Sequence, residues 1–277
     1  MKIVANIIMK DESRHIGDCI RSLRESNVDE IWCLDTGSKD DSREIAITEG
    51  AKLYQSKWQD FSTARNFLLR LMERGDWVVQ IDADERCRGD LKKEIDKAMT
   101  KYIGSIVVQV IGPLTEQGLQ RGFIKSPINR LYRAFRGLAY TNLAHEEVIS
   151  GLEKANIRFG DAEEVFFIHH GYDIPFEDMV AKMQRNKVLL LQDIKEGRDT
   201  ASQRYHLAQC YQTEGNYAEC IDNYKAAILL GLKNPLMIAR CFKHGYKWAI
   251  QNKEIKDSQW FLDAATLYEL KEDWVKQ

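Results

Sequence analysis

The apolar positions of the first hundred residues change period repeatedly. KIVANIIM (2–9) is an almost unbroken β-branched apolar run, the mark of a strand buried on both faces. After the polar stretch KDESRH, the apolar residues of IGDCIRSLRES fall at 16, 19, 20 and 23, which is one face of a helix. DEIWCLD (29–35) predicts a second strand ended by the turn-forming TGSKDD, and SREIAITEG predicts a helix with Gly50 as its stop. AKLYQSK predicts a third strand, STARNFLLRLMERG a third helix and DWVVQID (76–82) a fourth strand. Strand and helix alternate with short links, the pattern of an α/β fold with a parallel sheet and helices on both faces. Ligands of such sheets sit at the carboxyl ends of the strands. The loops KDE (10–12), DTGS (35–38) and DADE (82–85) are therefore expected along one working edge.

From about residue 103 the period changes. SIVVQVIG, INRLYRAF and VFFIHHGY read as strands without strong helices between them, which predicts a mixed region completing the sheet. From Phe176 onward the pattern is helical to the end. In ASQRYHLAQCYQTEGNYAECIDNYKAAILLGLKNP, residues Leu207, Ala208, Tyr211, Gly215, Tyr217, Tyr224 and Ala227 fall at key tetratricopeptide positions. Cys220 takes the small-residue place, Arg204 stands at the usual tryptophan position, and Pro235 arrives late. One repeat cannot bury its own faces, so MIARCFKHGYKWAI and SQWFLDAATLYELKEDW are expected to form a degenerate second pair. An ordinary helical hairpin is the alternative. The expected domains are 1–175 and 176–277.

Composition narrows the class. The chain has 277 residues, 44% hydrophobic and 30% charged, with a formal net charge of −2, as in an ordinary soluble globular protein. Nothing is basic enough to point to a nucleic-acid partner. No stretch approaches the roughly 20 apolar residues of a membrane helix, and the apolar N-terminal run is too short for a signal peptide. The six cysteines form no CxxC pair, which favours reduced thiols and a cytoplasmic location. The sequence leaves the oligomeric state open.

The candidate chemistry begins where the fourth strand ends in Asp82, Asp84 and Glu85. Crowded carboxylates raise the cost of ionising one another. Either they are a solvated loop capping the next helix, or they hold a cation. With Asp82 finishing a strand and Ala83 small, both aspartates can turn toward one ion. Hard oxygen ligands suit Mg²⁺ or Mn²⁺, which take carboxylates together with substrate phosphates.

DEIWCLDTGSKDDSREIA, WQDFSTARN and DWVVQIDADE resemble the successive motifs of family 2 glycosyltransferases with the GT-A fold. INRLYRAFRGLAYTNLAHEEV, IHHGY and KMQRN extend the resemblance over essentially the whole chain, to a bacterial subgroup carrying C-terminal tetratricopeptide repeats. That subgroup is similar to enzymes that glycosylate peptide cysteines or serines and to enzymes that add sugars to lipopolysaccharide cores. The resemblance implies a GT-A domain, Rossmann-like with a mixed, mostly parallel sheet, followed by a small all-α repeat domain. It implies an inverting, metal-dependent transfer from a nucleotide-sugar donor, a UDP-sugar, to a peptide or protein side chain docked on the repeats. A cell-envelope glycan is the alternative acceptor, and an inactive repeat scaffold is the reading of another class.

The same resemblance assigns roles by position. Asp35 and Thr36 would contact the uridine, and Arg65 the nucleotide or its phosphates, unless Arg65 is a surface residue pairing with Asp60 or Glu73. Asp82 and Ala83 belong to the nucleotide-sugar site, with Asp82 on the ribose or in the metal's shell and Asp84 the direct ligand. His169 would complete the metal site and favour Mn²⁺ over Mg²⁺, with His170 competing for the role. Glu146 would be the catalytic base, and His145 would orient it or bind the acceptor. Of Arg130 and Arg133, at most one would face the pyrophosphate. Two positions depart from the family pattern: Asp11 replaces an amide, and Asp41 stands where a glycine is usual.

Overall fold

The computed structural model describes residues 1–116, 119–171 and 176–268. Tyr172 of the IHHGY motif, the expected domain boundary at 175 and the last residues of the final predicted helix fall outside them. The alternating half contains β1 (Ile3–Met9), α1 (Ile16–Glu25), β2 (Glu30–Asp35), α2 (Ser42–Thr48), β3 (Lys52–Gln55), α3 (Phe61–Leu69) and β4 (Trp77–Gln80). It continues with β5 (Glu85–Arg88), α4 (Leu91–Thr100), β6 (Ser105–Glu116), β7 (Leu119–Arg133), α5 (Ile149–Lys154) and β8 (Phe159–His169). Helices α6 (Phe176–Lys195), α7 (Ala201–Glu214), α8 (Tyr217–Leu229), α9 (Pro235–Gln251) and α10 (Ile255–Leu267) follow.

Among the described residues, eight strands form one sheet in the order β3-β2-β1-β4-β7-β6-β8-β5. Strand β1 pairs in parallel with both β2 and β4, and β2 with β3. Strand β7 joins β4 antiparallel, and β8 runs parallel to β6. The alternation of side chains along β1 explains the two layers. Ile3, Ala5 and Ile7 pack with Ile16, Cys19, Ile20 and Leu23 of α1, while Val4 packs on the other face with Trp32, Ala64 and Leu68.

Three elements depart from the sequence expectation. Strand β5 lies within what reads as an acidic loop and buries Glu85 and Arg86, so its polar pattern hides it. Helix α4 is capped by Asp90, whose side chain accepts from Lys93 N, and not by the crowded acids before it. Helix α5 is a six-residue helix between strands that were expected to follow one another without strong helices.

The contacts divide the chain into two units. The first holds residues 1–141 and the stretch from Glu146 through β8; the second holds Asn142–His145 with α6–α10. The second unit has its own core, built on Tyr205, Ala208, Cys220, Tyr224, Phe242 and Phe261. Helix α7 opens with a capping box between Thr200 and Gln203 and stops at Gly215, whose φ of +72° an L-residue rarely adopts. Pro235 is late because it opens α9, where its missing N–H costs nothing. All six cysteines are free and buried. Among the described residues no helix is long and apolar enough to cross a membrane.

Candidate functional site

The loops after β1 and β2 are stitched together by their polar residues. Asp11 N donates to Ser38 Oγ (2.9 Å), Lys39 N to Asp11 Oδ1 (2.7 Å) and Glu12 N to Ser42 Oγ (2.7 Å). The charge at Asp11 thus holds the neighbouring loop. Asp41 has φ −76°, so nothing there requires glycine. Asp35 is buried at the end of β2 and accepts from Ser38 N (3.0 Å), while Thr36 Oγ1 donates to Met9 O (3.2 Å).

Helix α3 carries Ser62, Arg65 and Asn66 at i, i+3 and i+4, hence on one face. All three reach the segment that leads to Glu146. Ser62 Oγ donates to Thr141 O (2.8 Å), and Asn66 exchanges two hydrogen bonds with the Tyr140 backbone (2.8 and 3.0 Å). Arg65 is only 1% exposed and spends its guanidinium on protein acceptors. Its Nε donates to Glu146 Oε1 (3.1 Å), its Nη1 to Asn6 O (3.1 Å) and Ile81 O (3.4 Å), and its Nη2 to Asp82 Oδ1. Asp60, offered by the sequence as a partner for a surface arginine, instead caps α3.

Asp82 is gripped from its other side by Arg130 of β7, whose Nη2 donates to Asp82 Oδ2 (3.1 Å) and Glu85 Oε1 (2.9 Å). Glu85 Oε2 accepts from Asp82 N (2.9 Å). Arg133 is exposed, so Arg130 is the arginine that meets the edge. Two guanidinium groups thus hold three carboxylates. Burial pushes the Asp82 carboxyl up, but Arg130 and Arg65 outweigh it and hold the group below its ordinary range. Glu85, fully buried, is shifted upward by desolvation against the pull of Arg130. Glu146 is also shifted upward, by burial first and with Arg65 opposing. Asn6 Oδ1 and Arg130 Nε are buried without a hydrogen-bond partner among the described residues.

Asp84 turns away from this cluster. Its Oδ2 lies 3.4 Å from His169 Nε2, both side chains being about one-sixth exposed (17% and 15%). A Cβ added at Gly171 would fall 1.8 Å from Asp84 Oδ2, so only a glycine leaves this carboxylate its place. His170 is exposed; its backbone N donates to Asp84 O (2.9 Å). Ala83 packs in the core with its carbonyl accepting from Arg86 Nη1 (3.3 Å). Among the described residues no three His, Cys, Asp or Glu side chains cluster as metal ligands.

The AHEEV segment is split in its contacts. Glu146 belongs to the first unit, whereas His145, at φ +54°, belongs to the second, where its ring stacks on His206 at 3.5 Å and 9°. Glu147 ties down its own loop, accepting from Thr141 Oγ1 (2.9 Å) and Ser150 N (2.9 Å). The sequence reading missed Asn66, Gln80 and Tyr140. Tyr140 OH donates to Gln80 Oε1 (3.1 Å) and meets Tyr132 OH, fixing the approach to Glu146. No local spacing signals the pairing of Asn66 or Gln80 with Tyr140, from which they lie 74 and 60 positions away.

Residues 6–147 match the family model described as Glycosyl transferase family 2. A TPR (tetratricopeptide) repeat-containing protein of Synechococcus elongatus is 27% identical over 273 residues, covering 80% of this chain and 64% of its own. An uncharacterized glycosyltransferase of Rickettsia prowazekii is 31% identical over 156 residues, 53% of each chain. This chain therefore spans between about half and just under two thirds of the length of these relatives. Among solved structures, S. aureus TarS matches with a TM-score of 0.52 at 14% identity, over 93% of this chain and 54% of its own, a likeness of fold.

Proposed function

Because the chain belongs to glycosyl transferase family 2, we propose that it moves a sugar, with inversion, from a UDP-sugar to a side chain of a peptide or protein. The observation that carries this reading is the double grip of Arg65 on Asp82 and Glu146. It joins the motif after β4 to the segment bearing the candidate base. Asp35, Thr36, Asp82 and Ala83 border the nucleotide sugar. Asp82, with both oxygens facing arginines, serves the ribose and not the ion. The unsatisfied Arg130 Nε is a buried donor suited to an anionic ligand.

Asp84 and His169 would hold Mn²⁺ or Mg²⁺. Their facing Oδ2 and Nε2 atoms, with Gly171 leaving the carboxylate its place, fit a divalent ion, and Mg²⁺ is commonly held by only one or two carboxylates together with substrate phosphates. A bound ion supplies charge neutralisation for the departing nucleoside diphosphate. Glu146 takes the acceptor proton as the acceptor atom bonds to the anomeric carbon and the bond from that carbon to the diphosphate oxygen breaks. Its upward shift, set by burial, brings the carboxylate closer to the proton affinity this transfer needs. Arg65 positions it. The catalytic work is assigned to residues 1–175 and acceptor docking to the repeat-like helices of 176–277, since stacked helical repeats offer extended surfaces for polypeptides. The buried free thiols favour a cytoplasmic setting.

Mn²⁺ with UDP is expected to raise the melting temperature of the full chain, because a ligand that binds only the folded state stabilises it. Asp84→Ala is expected to abolish the metal-dependent part of the shift. An equal shift in that variant sinks the metal assignment, and no shift in the wild-type protein sinks the donor site.

A further inference from the structure

A cavity of about 490 Å³ lies in the first unit along α1, reaching from the end of the loop after β1, at Arg14 and His15, to Glu25, with His170 also in its wall. Its walls follow from two periodicities. Asp18, Arg21 and Glu25 stand at i, i+3 and i+7 on one face of α1, and Arg86 and Arg88 stand at i and i+2 on one face of β5. Arg14, just before α1, completes the basic lining. Four guanidinium groups therefore surround two carboxylates.

Much of that charge is uncommitted. Asp18 is shared by Arg21 and Arg86, and Arg21 also meets Glu49. Arg14 and Arg88 have no carboxylate within ion-pair distance among the described residues. None of these side chains takes part in the cluster around Arg65, and the inference does not depend on the donor reading.

We propose that this cavity binds a phosphoryl-bearing ligand of about the size of a sugar phosphate. Guanidinium forks match the oxygens of a phosphate in pairs, and Arg14 and Arg88 have donors to offer. The volume lies in the ordinary range for small-molecule sites, roughly 300–1,000 Å³, and exceeds what one inorganic oxyanion fills. Asp18 and Glu25 supply acceptors for hydroxyl groups on the body of such a ligand. The polar lining disfavours an apolar occupant.

Calorimetric titration of the full chain without divalent metal tests this, with glucose 6-phosphate, glucose and inorganic pyrophosphate as probes. Glucose 6-phosphate is expected to bind and glucose not. Arg14→Gln/Arg88→Gln, at two exposed positions, is expected to weaken binding by about tenfold or more, the loss of charge-assisted hydrogen bonds. Asp84→Asn is expected to leave it unchanged. Binding unaffected by the double substitution, binding lost in Asp84→Asn, or no binding at all overturns the proposal. Pyrophosphate binding as tightly as the sugar phosphate overturns the assignment of ligand size and identifies a free inorganic anion as the source.

Discussion

At the edge of the sheet, Arg65 and Arg130 hold Asp82, Glu85 and Glu146 in a crowded cluster whose arginine–carboxylate pairs lie 17 to 81 positions apart in the chain. In the helical unit the fully buried carboxylate, Asp193, takes Arg198 from five positions away (2.7 Å) and Leu143 N (2.9 Å), and other polar groups enter the core uncharged. Tyr224 OH, for instance, donates to Gln212 Oε1 (2.7 Å). Buried ion clusters seldom stabilise a fold more than apolar packing of the same volume. The first unit therefore keeps its charges at a cost in stability, and the second mostly avoids them. On the proposed function, the difference separates groups kept for chemistry from groups kept for folding.

The largest expected effect comes from Arg65→Ala, which removes one of the two arginines on Asp82 and the arginine on Glu146 at once. A loss of about 3–5 kcal/mol in urea unfolding is expected. Arg198→Ala leaves Asp193 its backbone donor and should cost less. Equal losses would break the comparison. Glu146→Gln is expected to retain UDP binding and to lower transfer about 10²–10⁴-fold, with little change in stability. Robust turnover would move the base elsewhere.

The smallest effect is a difference in pH response. Asp82 has its folded pKa held below the ordinary 3.8, so its contribution is present above that pH and is lost as pH falls below it. His206 is pushed down from 6.5 to about 4 by desolvation, so the fold favours its neutral form. Its contribution is present above pH 6.5 and is lost as pH falls toward 4. His206→Phe should reduce the slope of unfolding free energy between those values, whereas Asp82→Asn should flatten it only below about pH 4. One common acid transition unaffected by either substitution would erase the distinction.

Strands β1–β4 and helices α1–α3 were legible because apolar spacing alone decides them: the predicted face of α1, Ile16, Cys19, Ile20 and Leu23, is wholly buried. Strand β5 was not legible. It buries Glu85 and Arg86, and Glu85 is tolerated there only through Arg130, 45 positions later. The strand ends pointed to Asp35, Asp82 and Asp84, and the family resemblance to Arg65, Glu146 and His169, but neither gave their pairing. That Asp82 meets two arginines while Asp84 faces His169 depends on sheet register and helix placement, which local pattern does not encode. The choice between Arg130 and Arg133 likewise waited on the pairing of β7 with β4.

The chain leaves the first unit after Thr141, lends four residues to the second and returns at Glu146. This detour orders the events of synthesis. Leu143 finds its acceptor only when Asp193 has been made, and His145 its stacking partner only when His206 has followed. At the usual pace of roughly 5–20 residues per second, the loop beside Glu146 waits on the order of seconds for its anchors. A nascent chain halted at the end of β8 would carry a finished sheet and an unfinished loop next to its proposed base.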